Sequence, residues 1–425
     1  MLRRTIDVDE RLPLLQTLPL SLQHLFAMFG ATVLVPFLLH VNPATSLLMN
    51  GVGTLLYLWI CKGRVPAYLG SSFAFIAPVL AVLAQPALGG YAAAQGGFIA
   101  FGLFFVLVSQ IIRVAGTRWI DVIFPAAAMG AIVAVIGLEL APVAADMAGL
   151  TGKVSGPFTA GSAMAVSLFT LGLTILCSVL LRGFWGVIPV LLGVLGGTVL
   201  SLILGKVDLA TIAAAPWIQV PAFYRPTFSP QAILMIMPAA LVVLAEHIGH
   251  LVVTGNIMSR DLVKDPGLHR SLLGDGLSNI LSGLVGATPN TTYGENIGVM
   301  AITRVYSVWV IRGAALIAIL VSFVGKAAAA IRAIPVPVMG GVCLLLFGII
   351  AAAGIRMLVE KRVDYTKARN LVLTSVVLTS GISGAAVKLG TVELKGMALG
   401  TVVAIFLSLL FWAFDHLGLS NDTSA

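Results

Sequence analysis

Between Leu14 and Phe414 the chain is a near-continuous series of apolar stretches separated by short connections rich in charge, glycine and proline. An apolar helix of about 20 residues spans the hydrocarbon of a bilayer, and only helices and closed barrels satisfy their own backbone there. The expectation is an all-α polytopic membrane protein. Composition agrees: 10% of the residues are charged, 59% are hydrophobic and mean hydropathy is +1.05. A soluble domain carries about 25% charged residues. The polar start, "MLRRTIDVDERLP", has no apolar run leading to a small-residue cleavage site, so no cleaved leader is expected. The net charge of +8 does not indicate nucleic acid, because the basic residues lie in short loops and at segment ends. Cys61, Cys177 and Cys343 sit in or beside apolar runs and do not suggest a disulfide framework.

Fourteen segments are expected. Those of the first half are 14–40, 44–61, 71–85, 93–113, 119–141, 159–181 and 184–204. Those of the second half are 231–258, 270–286, 293–303, 306–325, 335–358, 367–384 and 393–414. With both termini cytoplasmic, 18 of the 25 lysines and arginines, Arg3, Arg4 and Arg304 among them, fall on the inner side. Cytoplasmic loops carry such an excess, so the charge asymmetry supports segment count and orientation together.

The halves echo each other. "PAAAMGA" at 125–131 matches "PVPVMGG" at 335–341, and "GSSFAFI" at 70–76 matches "NTTYGEN" at 290–296. Seven segments per half is odd, so the second repeat is expected to be inverted. Short, interrupted segments at matching places in inverted repeats point to a mid-membrane substrate site. A broken helix leaves backbone groups bare at depth, tolerable only against protein, water or ligand. Small and hydroxyl residues at the breaks suit an extended backbone that a flat ligand can approach. Phe73 and Gly294 are therefore expected near each other across a pseudo-two-fold axis.

Within "LVVLAEHIGHLVVTGN" at 241–256, Glu246 and His250 are four residues apart and share a helix face. The order Glu-His-x-x-His is not the His-Glu-x-x-His of zinc proteases. Ionisable groups inside spanning segments are by default candidates for ion or substrate pathways. Glu295, on the interrupted tenth segment, is a second such acid. His247 and His24 are expected to be structural, and Asp275 to bond a neighbouring helix. Glu246 and Glu295 are thus the expected ligand-facing acids.

The run "ENIGVMAITR" at 295–304 resembles the signature of the nucleobase–ascorbate transporters, also called nucleobase–cation symporter family 2. Its matching positions are Glu295, Asn296, Gly298, Thr303 and Arg304; Gln23 and His24 resemble that family's second marker. The likeness also runs through "SLQHLFAMFGATVLVP" and "YLGSSFAFIAPV". It implies fourteen segments in two inverted sevens, with core domains at 12–118 and 230–330 and gate domains at 119–229 and 331–416. It implies short antiparallel strands in segments 3 and 10, and a homodimer formed through the gate. By the same resemblance Glu246 and Glu295 are the ligand carboxylates, Phe73 and Gly294 the backbone donors, and Ala31 and Tyr293 pocket-lining residues. His250 then belongs with Glu246 to the proton-coupling network. Phe347 stands where uracil-carrying members have a tyrosine, so that hydroxyl is missing here.

The resulting expectation is a transporter, not an enzyme, that imports uracil across a bacterial inner membrane with protons as coupling ion and no cofactor or metal. Close pyrimidine analogues are the other expected cargoes, and the lipid bilayer the expected surroundings. A xanthine or uric acid permease of the same family is the alternative. An anion exchanger of the same seven-plus-seven architecture is disfavoured by two acids at the site. No nucleophile–base pair, metal set or nucleotide loop suggests catalysis.

Overall fold

The computed structural model describes residues 5–389 and 392–420. Arg3 and Arg4, counted above on the inner side, lie outside the described residues. The first half begins with α1 (Leu14–Ala27), α2 (Phe29–Leu38), α3 (Pro43–Ile60), α4 (Ile76–Leu83) and α5 (Gly90–Ala115). It continues with α6 (Arg118–Ile123), α7 (Ala126–Met147), α8 (Ala160–Leu180), α9 (Pro189–Ile203) and α10 (Leu209–Ala214). The second half holds α11 (Pro230–Met258), α12 (Leu268–Val285), α13 (Gly294–Thr303) and α14 (Val308–Ser322). It ends with α15 (Gly325–Arg332), α16 (Val336–Glu360), α17 (Ala368–Ile382) and α18 (Gly396–His416). Among the described residues, seven helical stretches are long and apolar enough to cross a membrane. The protein is a multi-pass membrane protein, and side chains such as Leu107, Val179, Leu195, Leu320 and Phe406 form an apolar outer surface.

Several boundaries follow local chemistry. Pro43 opens α3 behind Asn42, whose side chain accepts from the Ala44 N–H at 3.0 Å. The first expected segment is two helices that meet at Met28. The fifth expected segment, 119–141, is likewise divided, into the short helix α6, which stops before Pro125, and α7. Proline disfavours helical geometry in the residue before it.

Strand β1 (Leu69–Ser71) pairs antiparallel with β2 (Asn290–Thr292), so the two interrupted segments do carry short strands. A second pair, β3 (Ala386–Leu389) with β4 (Val392–Lys395), was not expected from the sequence. It takes Glu393, Leu394 and Lys395 out of the fourteenth expected segment. The alternation of apolar and charged residues there has the period of a strand, and Lys388 stands opposite Glu393.

The helices gather into two groups. In the first, α5 packs on α12 and α11, and α3 packs on α12 and α14, with α1 against α14. In the second, α7 packs on α16, α17 and α18, and α8 packs on α9 and α16. The groups meet where α2 touches α9 and α16, and where α11 touches α7 and α18. The β1–β2 pair lies in the first group, beside α2, α3, α11 and α12.

Candidate functional site

The strand pair is centred on Gly70 opposite Thr291, flanked by Leu69 opposite Thr292 and Ser71 opposite Asn290. The Tyr293 N–H donates to the Tyr68 carbonyl at 3.1 Å, and the Ser72 N–H to the Pro289 carbonyl at 2.8 Å, extending the ladder at both ends. Gly70 is required by shape. A Cβ there would lie 1.9 Å from Cε2 of Tyr293, whose ring fills that space and whose hydroxyl donates to the Ser71 carbonyl at 2.7 Å.

The pairing has a local two-fold relation that makes Phe73 the counterpart of Gly294, and Ala74 the counterpart of Glu295. The sequence match of "GSSFAFI" with "NTTYGEN" sets Phe75 against Glu295 and is therefore out by one. A hydroxyl pattern is blind to the register, which the Gly70–Tyr293 contact sets.

Phe73 opens a short 3-10 turn, Phe73–Phe75, that runs into α4, and Gly294 opens α13. The first N–H groups of a helix have no intrahelical acceptor, and its N-terminus carries partial positive charge. Two such ends therefore flank the strand crossing.

Helix α11 runs past this junction. Its Glu246 and His250 are half-buried. His250 Nδ1 lies 3.1 Å from Thr292 Oγ1, and His250 Nε2 lies 3.2 Å from where a Cβ on Gly294 would stand. Glu295, the second residue of α13, is exposed within the structure. Ala31 is buried on α2, which packs on β1. The Phe73 ring meets that of Phe347 edge to face, with centroids 6.1 Å apart, so the second helix group touches the site through Phe347.

The signature residues divide. Asn296 donates through Nδ2 to His24 Nδ1 at 3.0 Å and to the His24 carbonyl at 3.1 Å, with Gln23 buried beside them. This joins the two sequence markers and ties α13 to α1. Thr303 and Arg304 finish α13 away from the strands. Thr303 Oγ1 donates to the Val299 carbonyl at 2.8 Å, and Arg304 adopts a left-handed φ of 58°. The space beyond Gly298 is open. Tyr293 is buried and its hydroxyl is committed to β1.

His247, buried about 100° round α11 from Glu246, lies with Nδ1 2.9 Å from Asp275 Oδ2 and with Nε2 2.7 Å from Ser271 Oγ. Tyr57 extends this chain to Ser271 at 2.6 Å. Thr54 and Asn279 hydrogen-bond the strand backbone and were not singled out from sequence. A lone Thr or Asn inside an apolar helix carries no motif, although Asn279 follows Asp275 by one helical turn.

Two helix starts and a buried strand crossing meet here inside a helical membrane protein, with Glu295 on one of the helices that start there and Glu246 on the helix that passes them. Broken helices meeting inside a helical membrane protein are a feature of membrane transporters. The chain belongs to the permease family, the nucleobase–ascorbate transporters, whose family model matches residues 15–390. Permeases move their cargo unchanged, so the protein is not an enzyme.

The chain is 64% identical over 411 residues to a uracil permease of Escherichia coli strain K12, covering 97% of this chain and 95% of that one. It is 58% identical over 421 residues to a uracil permease of Paenibacillus larvae, covering 99% of each. Among solved structures, the transmembrane domain of the cyanobacterial bicarbonate transporter BicA aligns with a TM-score of 0.63 at 14% identity, covering 95% of this chain and 98% of that one. Murine Slc26a9, an anion transporter captured facing inward, aligns at 0.68 and 12% identity, covering 96% and 69%. At these identities the likeness concerns the fold alone.

Proposed function

We propose that the protein imports uracil across the bacterial cytoplasmic membrane in symport with protons. The observation that carries this reading is the position of His250, one turn from Glu246 on α11, against Thr292 and the backbone at Gly294, the residue before Glu295, beside the strand crossing. The names of the relatives supply the choice of uracil.

Uracil is a planar imide with two N–H donors and two carbonyl acceptors. Glu246 and Glu295 accept from the N–H groups, and the first N–H groups at Phe73 and Gly294 donate to the carbonyls. Hydrogen bonds to a carboxylate are roughly twice as strong as neutral ones. Ala31 and Phe73 bound the pocket, and Phe347 closes it from the second helix group without adding a hydroxyl. Two carboxylates oppose an anionic cargo, so the likeness to anion transporters does not extend to what is carried.

The transporter crosses the membrane fourteen times as two inverted sevens, with both termini cytoplasmic. Residues 12–118 and 230–330 form a core that carries the site. Residues 119–229 and 331–416 form a gate, through which two copies form a dimer. Access alternates as the core moves against the gate at the Phe73–Phe347 contact. Proton coupling runs through Glu246 and His250, which lie one turn apart on one face of α11.

Uptake of radiolabelled uracil into proteoliposomes tests the proposal. Uptake should rise with an inward proton gradient and collapse with an uncoupler. Unlabelled 5-fluorouracil should compete. Cytosine offers an amino donor to a backbone donor, and an unpaired buried group costs about 1–3 kcal/mol, so it should compete about ten-fold less well. Xanthine competing better than 5-fluorouracil would transfer the assignment to purines.

A further inference from the structure

A two-stranded sheet has two outer edges, and each presents bare N–H and C=O groups. Within a membrane protein such groups must find partners inside the protein. In this protein a side chain on the helix leading into each strand supplies them. On α3, Thr54 Oγ1 accepts from the Leu69 N–H at 2.9 Å, with the Leu69 carbonyl 3.4 Å away. On α12, Asn279 Oδ1 accepts from the Asn290 N–H at 2.7 Å, and its Nδ2 donates to the Asn290 carbonyl at 3.0 Å. The Asn279 amide thus pairs with Asn290 as a neighbouring strand would.

The two arrangements match across the local two-fold. Leu69 and Asn290 are each the first residue of their strand. Each lies four residues before a proposed backbone donor, Leu69 before Phe73 and Asn290 before Gly294. Thr54 and Asn279 each follow a buried polar residue, Asn50 or Asp275, by four positions on the same helix face. Thr54 Oγ1 is held by the Asn50 carbonyl at 2.7 Å, and Asn279 Nδ2 by the Asp275 carbonyl at 2.9 Å and Asp275 Oδ1 at 3.1 Å. Asp275 also lies beside His247, the residue after Glu246. On the second strand, therefore, one chain of contacts links the backbone that leads to Gly294 with the helix that carries Glu246.

We propose that Thr54 and Asn279 are positioning residues for the substrate site, acting as side-chain strands that set where the Phe73 and Gly294 N–H groups point. The inference rests on the uracil reading above for its ligand. Neither residue needs to touch substrate. Misplacing a donor by a fraction of an ångström weakens its bond to a carbonyl while leaving the helices intact.

Equilibrium binding to purified, detergent-solubilised protein tests this, with uracil, 2-thiouracil and 4-thiouracil as probes. Sulphur is a poorer acceptor than oxygen, so in the native protein at least one thio-analogue should bind more weakly than uracil. Wild-type protein that binds no uracil would overturn the substrate reading, a result separate from any variant's behaviour. Given wild-type binding, Asn279→Ala should weaken uracil at least ten-fold and shrink its advantage over that analogue. Thr54→Val, nearly isosteric, should do the same on a smaller scale, and Thr54→Ser should restore it. Loss of melting temperature with the uracil affinity and analogue ratio unchanged would make these residues structural only and overturn the proposal. Should Asn279→Ala fail to fold, the Thr54→Val and Thr54→Ser pair decides alone. Equal affinities and equal ratios in those two variants would refute it.

Discussion

In the helix group of α7, α8, α9, α16, α17 and α18, most hydroxyl side chains turn back on their own helix. Thr170 donates to the Val166 carbonyl at 2.8 Å, Thr174 to Thr170 at 2.7 Å, Ser201 to Gly197 at 2.8 Å and Thr401 to Met397 at 2.8 Å. In the group that holds the strand crossing, many polar side chains reach other elements, although Thr254 and Thr303 turn back on their own helices. Ser21 donates to the Val310 carbonyl at 2.8 Å, Gln95 to the Gly283 carbonyl at 2.9 Å and Ser109 to the His269 carbonyl at 2.6 Å. Ser167 and Glu139 are exceptions in the former group, reaching Pro337 and Met397. Continuous helices satisfy their own backbone and pack by shape. Broken helices depend on partners placed by the rest of the fold. Polar substitutions in the first group should therefore change binding, whereas packing substitutions in the other should change stability with affinity preserved.

The largest expected effect is that of Gly70→Ala. The new methyl would overlap the Tyr293 ring, which its bond to Ser71 holds in place. Uracil affinity should fall by about 100-fold or more, equivalent to roughly 3 kcal/mol, with loss of monodisperse protein on size exclusion. His250→Ala comes next. It should abolish most accumulation of uracil against a gradient in proteoliposomes while changing equilibrium affinity only a few-fold; wild-type accumulation would remove His250 from coupling.

In the other group, Gly354→Ala sets a Cβ 2.4 Å from the Ala134 backbone nitrogen, at a close approach of α7 and α16. Overpacking of this kind costs about 1–3 kcal/mol, so thermal denaturation in detergent should occur earlier with uracil affinity unchanged. Thr170→Val should have the smallest effect. It removes one intrahelical bond worth about 1 kcal/mol, and it too should leave affinity intact. A ten-fold loss of affinity in either variant would erase the distinction between the two groups.

What could be read from sequence follows the same division. Glu246 and Glu295 stood out because acids in apolar runs are expensive to bury. The interrupted segments stood out because their small and hydroxyl residues break an apolar pattern. The register of the strand pair was not legible, since it depends on Tyr293 filling the space at Gly70. Tyr293 itself, expected to line the pocket, has its hydroxyl bound to Ser71. Thr54 and Asn279 escaped notice because their partners are 15 and 11 residues away in a turn whose path the sequence does not specify. The β3–β4 pair was masked by its apolar neighbours, although Val387-Lys388-Leu389 and Val392-Glu393-Leu394 alternate as strands do.

The central claim is that two carboxylates in the first helix group hold the substrate. Equilibrium binding of uracil to purified Glu246→Gln and Glu295→Gln measures it most directly, with Gly354→Ala as the reference for a change in stability alone. An amide keeps the size of the side chain and one carbonyl acceptor but loses the charge, and hydrogen bonds to charged groups contribute about 1.5–3 kcal/mol. Each glutamine variant should therefore lose at least about ten-fold in affinity while eluting as folded protein, and Gly354→Ala should bind as wild type. Wild-type affinity in both glutamine variants would contradict the account.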